Sequence, residues 1–323
     1  MNIFDIYNTI ETPEINNKFN VITISGTNHK MGKSVEGFPM FFVNSRGESN
    51  VPNINMEFLS VQYNQTCDII ENNIECNIVF TIITLKSTEE TLLKYFIDIF
   101  MLVLQKFDFQ PSVKKISIEI ENIITIFSAM HHIALKTIQG LWAELLIIYL
   151  AKDTDIILSA WHNNPNDKYD FSLGKEKLEV KSSTSYDRIH HFSMEQLNPT
   201  QNSELVIAST TVIETGKGTT GLSIIDLADK IIEKTHSIEM KLKLKTVIAN
   251  TIGCDINKTS SVYFDLTTAV DKLAFFDYRS VPSIELNNVP IAVSNVNFSS
   301  SLEGIEEIPS NKLSGSELYK FNL

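Results

Sequence analysis

The residues best suited to chemistry lie between Tyr169 and Lys181, in the stretch YDFSLGKEKLEVK. Gly174–Lys175 separates two alternating runs and predicts a two-residue β-hairpin, with glycine at the first central position of a type II′ turn. Pairing outward sets Leu173 against Glu176, Phe171 against Leu178 and Asp170 against Glu179. Side chains alternate across a strand, so Tyr169, Phe171, Leu173, Leu178 and Val180 share a face that can enter a core. Asp170, Ser172, Lys177, Glu179 and Lys181 share the other. Two opposed carboxylates repel at the Cβ separation of roughly 4.5–5.5 Å that such a pair has. A divalent cation removes that repulsion, and hard oxygen ligands suit Mg²⁺. Lys181, two residues past Glu179, reaches the same spot. The bland alternative is a solvated hairpin face of mixed charge.

A third carboxylate, Glu144, sits in LWAELLIIYL among Leu141, Leu145, Ile147 and Ile148. A carboxylate on an apolar helix face is costly unless it is paired or metal-bound. Either it pairs with a lysine or arginine in the core, or it ligates a metal or orients a metal-bound water. Downstream, Arg188, His190, His191 and Gln196 form a polar cluster after the hairpin. The two histidines point to opposite faces of an extended chain, so at most one can face a site.

The elements that must hold these groups are legible in outline. Strand-like runs occupy Val21–Ser25, Phe38–Val43, Met56–Tyr63 and Cys76–Thr84, separated by Asn, Gly and Pro clusters. Ser87 with Glu90 forms an S-x-x-E capping box before helical periodicity that runs to about Phe107. Further helices are expected over Ser112–Ser128 and from near Ile133 to Ala151. An apolar strand is expected over Asp155–Trp161, then the hairpin, then a buried strand over Glu204–Thr210. Ser223 and Asp226 form a second capping candidate, a break falls near Thr251–Asn257, and the tail from Ser261 reads as strand-rich and irregular.

Two glycine-bearing segments are decoys. GTNHKMGKS (Gly26–Ser34) has five residues between its first glycine and the Gly-Lys pair, where a phosphate-binding P-loop has four. TGKGTTG (Thr215–Gly221) reads as a loop before a helix. Lys241, Lys243 and Lys245 could meet a phosphate backbone, but such a run is usually a solvated surface.

Composition sets outer limits. With 323 residues and 43% hydrophobic content the chain can bury a substantial core. Its formal charge of −12 excludes a surface coated in basic residues, so any nucleic acid must be met through a local groove, a metal or a partner. Cys67, Cys76 and Cys254 have no metal-ligand spacing; Cys67 and Cys76 could face each other across a hairpin. No signal peptide is evident, so reduced thiols and a cytoplasmic location are expected. No apolar run reaches the roughly 18–20 residues of a membrane span.

The order helix with Glu144, strand, strand with Asp170, strand with Glu179 and Lys181, helical turn, strand, together with D…E-x-K, resembles the PD-(D/E)XK nuclease superfamily. GLWAELL (Gly140–Leu146), AWHNNPNDKYDF (Ala160–Phe171), LEVKSSTSYDRIHHFSMEQL (Leu178–Leu197) and the later YFDLTTAV…FFDYRSVPSIELNNVPIAV segment are similar to the PD-(D/E)XK motif proteins of bacterial defence loci. That resemblance implies an α/β (α+β) fold with a restriction-endonuclease-like αβββαβ core over 111–212. A β-rich N-terminal region ending in a helix would occupy 1–110, and a mixed α/β region 213–323. It implies a metal-dependent DNA endonuclease of a restriction or anti-phage system, using Mg²⁺ or Mn²⁺. Partners would include DNA and proteins of a defence operon such as an ATPase or methyltransferase, with a homodimer as a further option and no membrane. The alternative is a nuclease-fold DNA-binding or scaffolding subunit active only within a larger complex. In the nuclease reading Asp170, Glu179 and the Val180 carbonyl hold one ion, and Glu144 a second ion or a bound water. Lys181 orients or deprotonates that water or stabilises the phosphate. Arg188 would neutralise a phosphate, and His190 and Gln196 would lie near the substrate.

Overall fold

The computed structural model describes residues 3–15, 18–47, 51–72, 74–130, 136–164, 166–218, 220–313 and 317–323. The chain divides into two units, Met1–His131 and His132–Leu323.

In the first unit, helix α1 (Ile3–Asn8) precedes strands β1 (Lys18–Thr23), β2 (Lys30–Lys33), β3 (Pro39–Val43), β4 (Ile54–Asn55), β5 (Leu59–Glu71) and β6 (Ile74–Leu85). They form one sheet in the order β1-β2-β3-β6-β5-β4, and β1 also pairs parallel with β5. Helices α2 (Glu90–Leu104) and α3 (Val113–Ala129) follow. All of β3 is buried because both of its faces are covered. Phe41 stacks on Phe100 of α2 at 4.1 Å between ring centroids, while the next residue, Phe42, meets Phe19 and Phe80 on the opposite face.

The second unit begins with α4 (Ile138–Leu150) and α5 (Thr154–Ala160). Next come β7 (Phe171–Leu173), β8 (Glu176–Ser183), β9 (Ile189–Ser193), the one-turn α6 (Met194–Leu197) and β10 (Glu204–Thr211). After these come β11 (Glu214–Thr215), β12 (Gly221–Leu222), α7 (Ile224–Lys234), α8 (Ile238–Ile252), β13 (Tyr263–Asp265), α9 (Leu266–Asp271), β14 (Ala274–Asp277) and β15 (Asn297–Ser301). The central sheet runs β14-β10-β8-β7. Its inner pair, β8 and β10, is parallel, and each edge strand is antiparallel to its neighbour. α4 packs against β8, α7 and α5 and is apolar nearly all round, as a helix with no solvent face must be.

The hairpin register is the one the sequence predicts, with Phe171 opposite Leu178 and Leu173 opposite Glu176. Gly174 has φ +57° and Lys175 is not left-handed, as a type II′ turn requires. Ser112 and Thr137 cap α3 and α4, and Ser223 with Asp226 closes the capping box of α7. The expected start of α4 near Ile133 lies outside the described residues.

Other expectations are corrected. Asp155–Trp161 is not a strand but lies mostly within α5, capped by the Asp153 carboxylate on Ile156 N–H. A short, largely apolar run fits either period, and the cap decides it. The third strand is instead β9, which leaves the central sheet to pair with β15. α2 is capped by Glu89, whose carboxylate accepts from Thr91 and Leu92, and not by Ser87 with Glu90. The rejected P-loop contains an unforeseen strand, β2, in which a Cβ on Gly32 would come within 2.9 Å of the Asn20 carbonyl. Of the hairpin face that can enter a core, Phe171 and Leu178 are buried while Leu173 and Val180 are only half-buried. Cys67 and Cys76 do not face each other, since Cys67 lies opposite Ile78 and Cys76 opposite Ile69; both thiols are free. The lysine run of α8 is not a solvated surface: Lys245 is buried, and Lys243 donates to the Ser159 and Trp161 carbonyls at the end of α5. The tail includes the helix α9 beside its strands. Among the described residues, no helix is long and apolar enough to cross a membrane.

Candidate active site

Four segments of the second unit converge where β7 begins beside β8. α4 delivers Glu144 from its buried middle, the chain entering β7 delivers Asp170, β8 delivers Glu179 and Lys181, and α6 delivers Gln196. Glu144, Asp170 and Glu179 are all buried.

Asp170 lies just outside β7, where its carboxylate replaces the next ladder bond. Oδ2 accepts the Val180 N–H at 2.8 Å. The Val180 carbonyl shares that strand edge with its N–H and so faces the same place. Asp170 Oδ1 accepts from Lys136 Nζ at 2.7 Å.

Glu144 has three partners, none of them assigned from sequence. Lys136 Nζ lies 2.6 Å from Oε1, while Trp161 Nε1 donates to Oε2 at 2.8 Å and His162 Nε2 also lies 2.8 Å from Oε2. The core-lysine alternative for Glu144 is thus what the geometry shows, with Asp170 sharing the same ammonium. Lys136 immediately precedes the α4 cap, and His162 follows α5, both in irregular chain where no periodicity marks them. His162 stands within the AWHNN stretch of the resemblance, which was the one available signal.

Glu179 and Lys181, two residues apart on β8, meet side by side: Lys181 Nζ lies 2.8 Å from Glu179 Oε1. Gln196 bridges them, donating from Nε2 to Glu179 Oε1 at 2.5 Å and accepting from Lys181 on Oε1 at 3.2 Å. The same Gln196 Oε1 accepts the Ser193 N–H in the capping box of α6, which fixes the amide's orientation. Lys181 also lies over the Phe192 ring, 4.9 Å from its centroid.

The other downstream residues are used elsewhere. Arg188, in a left-handed backbone conformation with φ +46°, donates to the Ser209 carbonyl and hydroxyl and to the Lys272 carbonyl. His190 faces inward, with Nε2 2.8 Å from Ser209 Oγ, and His191 faces outward to Ser299.

Three carboxylates therefore face two ammonium groups, Lys136 and Lys181, with the His162 ring beside Glu144. Burial, reinforced by the Asp170 charge, pushes the Glu179 carboxyl up to about 7 against the pull of Lys181. Burial and the Glu144 charge raise Asp170 as well. Glu144 goes down: burial works against it, but the His162 hydrogen bond and the Lys136 charge prevail. Lys136 is raised, because the two carboxylates outweigh its own burial.

The donor set fits a cation. Glu179 Oε2 is buried without a hydrogen-bond partner, as is His162 Nδ1. Ligand atoms of Glu144, His162 and Asp170 all lie within 4.8 Å of one another. Carboxylate oxygens and a main-chain carbonyl suit Mg²⁺ or Mn²⁺, and an imidazole nitrogen shifts preference toward the transition ion.

A protein-family model described as "Putative PD-(D/E)XK family member, (DUF4420)" matches residues 4–303. No curated protein and no solved structure matches the chain.

Proposed function

The chain belongs to this PD-(D/E)XK family, and on that premise we propose that it is a divalent-metal-dependent nuclease that cleaves DNA internally, as a restriction or anti-phage component. The observation that carries the reading is the cluster of buried Glu144, Asp170 and Glu179 with half-buried Lys181 beside them, in which Glu179 Oε2 has no hydrogen-bond partner. A restriction-endonuclease-like core is supported by the parallel β8–β10 pair with α4 packed against β8.

Asp170, Glu179 and the Val180 carbonyl would hold a Mg²⁺ or Mn²⁺ ion, with Glu144 as a further carboxylate ligand. Bound there, the ion supplies Lewis-acid stabilisation of phosphate charge and activation of water. Lys181 holds a positive charge beside Glu179, where it can orient a water or meet a phosphoryl oxygen. Gln196 keeps that lysine in place. Arg188 and His190 support β10 through Ser209 in this reading, and reach substrate only indirectly.

A second reading has one observation in its favour. With a net charge of −12, the surface has little general attraction for a polyanion. A DNA-binding partner, such as an ATPase or methyltransferase of the same defence system, or a second copy of the chain, would supply the affinity, and turnover would then appear only in the complex.

The test is cleavage of plasmid and single-stranded DNA by purified protein with Mg²⁺, Mn²⁺ or EDTA, beside Lys181→Ala. Metal-dependent cleavage lost in the variant supports the reading. Cleavage that survives both EDTA and the substitution overturns it.

A further inference from the structure

Lys136 stands between two carboxylates that could hold a cation. Its Nζ is 2.6 Å from Glu144 Oε1 and 2.7 Å from Asp170 Oδ1, with His162 Nε2 at 3.4 Å. These are the same three residues whose ligand atoms cluster closely enough to share one ion. Magnesium–oxygen contacts need about 2.0–2.1 Å, so an ion on these two oxygens and the ammonium exclude each other.

The two sides of this contact are not equally fixed. The Glu144, Asp170 and His162 side chains are 3%, 8% and 2% exposed, whereas Lys136 is 23% exposed. The carboxylates are held almost wholly out of water, but the more exposed lysine has a hydrated state to return to. Lys136 also lies outside the regular elements, one residue before the α4 cap, and its N–H donates over a long 3.4 Å to the Thr251 carbonyl. By contrast, Lys181 is anchored in β8 and bridged by Gln196.

We propose that Lys136 is an exchangeable cation: it neutralises Glu144 and Asp170 in the metal-free protein and swings out when a divalent ion binds. The idea deepens the nuclease reading and rests on it. Metal affinity in the absence of substrate is held down by the competing ammonium. The displaced ammonium, still on a short tether, then becomes a positive contact for a phosphate diester at the rim of the site. Metal and polyanionic substrate would therefore each favour the other's binding, since both draw Lys136 out of the cluster.

The experiment is Mn²⁺ titration of full-length wild type and Lys136→Met without nucleic acid, with free Mn²⁺ read by electron paramagnetic resonance. Removing the competitor should tighten Mn²⁺ binding at least tenfold. In the wild type, Lys136 should be slow to react with an amine-acylating reagent in EDTA and become several-fold more reactive at saturating Mn²⁺, as read by peptide mass spectrometry. That second measurement decides the matter if Lys136→Met does not fold without metal. Equal or weaker Mn²⁺ affinity in a folded variant, or unchanged Lys136 reactivity on metal binding, overturns the proposal. If wild type cleaves DNA with a metal dependence that Lys136→Met leaves unaltered, the exchange fails and the nuclease reading stands. If neither protein binds Mn²⁺ nor cleaves, both fail.

Discussion

Gln196 donates to Glu179 at 2.5 Å from a one-turn helix, and the same amide's oxygen accepts from Lys181. One side chain thus holds both members of the E-x-K pair in register. Gln196→Ala should lower cleavage roughly tenfold to a hundredfold through loss of positioning. It should also cost about 1 kcal/mol, because the Ser193 N–H loses its capping partner. Gln196→Glu keeps an acceptor for Ser193 and Lys181 but opposes Glu179, so it should retain more stability than Gln196→Ala in excess Mg²⁺ and less in EDTA. Steady-state cleavage and chemical denaturation of the two variants check both statements.

Asp170→Ala, Glu179→Ala and Lys181→Ala should each abolish cleavage and leave a folded protein, judged by circular dichroism. Their stabilities should differ in EDTA. Glu179→Gln removes a carboxylate whose charge burial and Asp170 disfavour, and should raise the melting temperature at pH 8. Lys181→Ala takes the ion-pair partner from Glu179 while the Gln196 hydrogen bond stays, and should lower it. If the acidic variants remain as active as wild type, this cluster is not the active site.

What was legible from sequence follows the range of the physical rule behind each reading. Two-residue alternation and a turn glycine are local, so the hairpin register, and with it the proximity of Asp170, Glu179 and Lys181, could be read directly. Glu144 was flagged by the cost of a carboxylate in an apolar helix, but its partners were not. Lys136 and His162 sit in irregular chain and reach Glu144 only through tertiary folding. Asp155–Trp161 shows the other limit: a short apolar run is compatible with strand or helix, and the Asp153 cap favours the helix. Arg188 illustrates a third, since a charge near a motif does not say which carbonyls will take up its donors.

His190 gives a pH test with a defined sign. Burial, with Lys181 and Arg188 adding to it, lowers its pKa from 6.5 to about 4. The folded protein then binds fewer protons than the unfolded chain between those values, so this contribution to stability is present above pH 6.5 and lost on acidification toward 4. It amounts to about 3 kcal/mol. Glu179, raised to about 7, acts in the opposite direction: its protonation stabilises the fold as pH falls from 7 toward 4.5. In EDTA, His190→Asn should therefore gain stability relative to wild type on acidification from pH 7 to 4.5, and Glu179→Gln should lose it. Urea midpoints across that range measure both, and identical pH profiles for the two variants would remove His190 and Glu179 as the source.

Glu144 offers the sharpest separation of structural from metal-binding work. Its carboxylate accepts from Lys136, Trp161 and His162 while buried, so Glu144→Gln leaves an ammonium with half of its compensation and an indole N–H facing an amide. Breaking such a buried pair costs about 3–5 kcal/mol. The variant should therefore be markedly less stable in metal-free buffer, unlike Glu179→Gln. Trp161 makes the site observable, because the chain has two tryptophans and the other, Trp142, is bonded to the Leu222 carbonyl. In a Trp142→Phe background, Mg²⁺ should change Trp161 emission as the cation alters Glu144, and added Glu144→Gln should abolish that response. A metal response that persists in Glu144→Gln would place the ion away from Glu144 and leave this residue a purely structural ion-pair member.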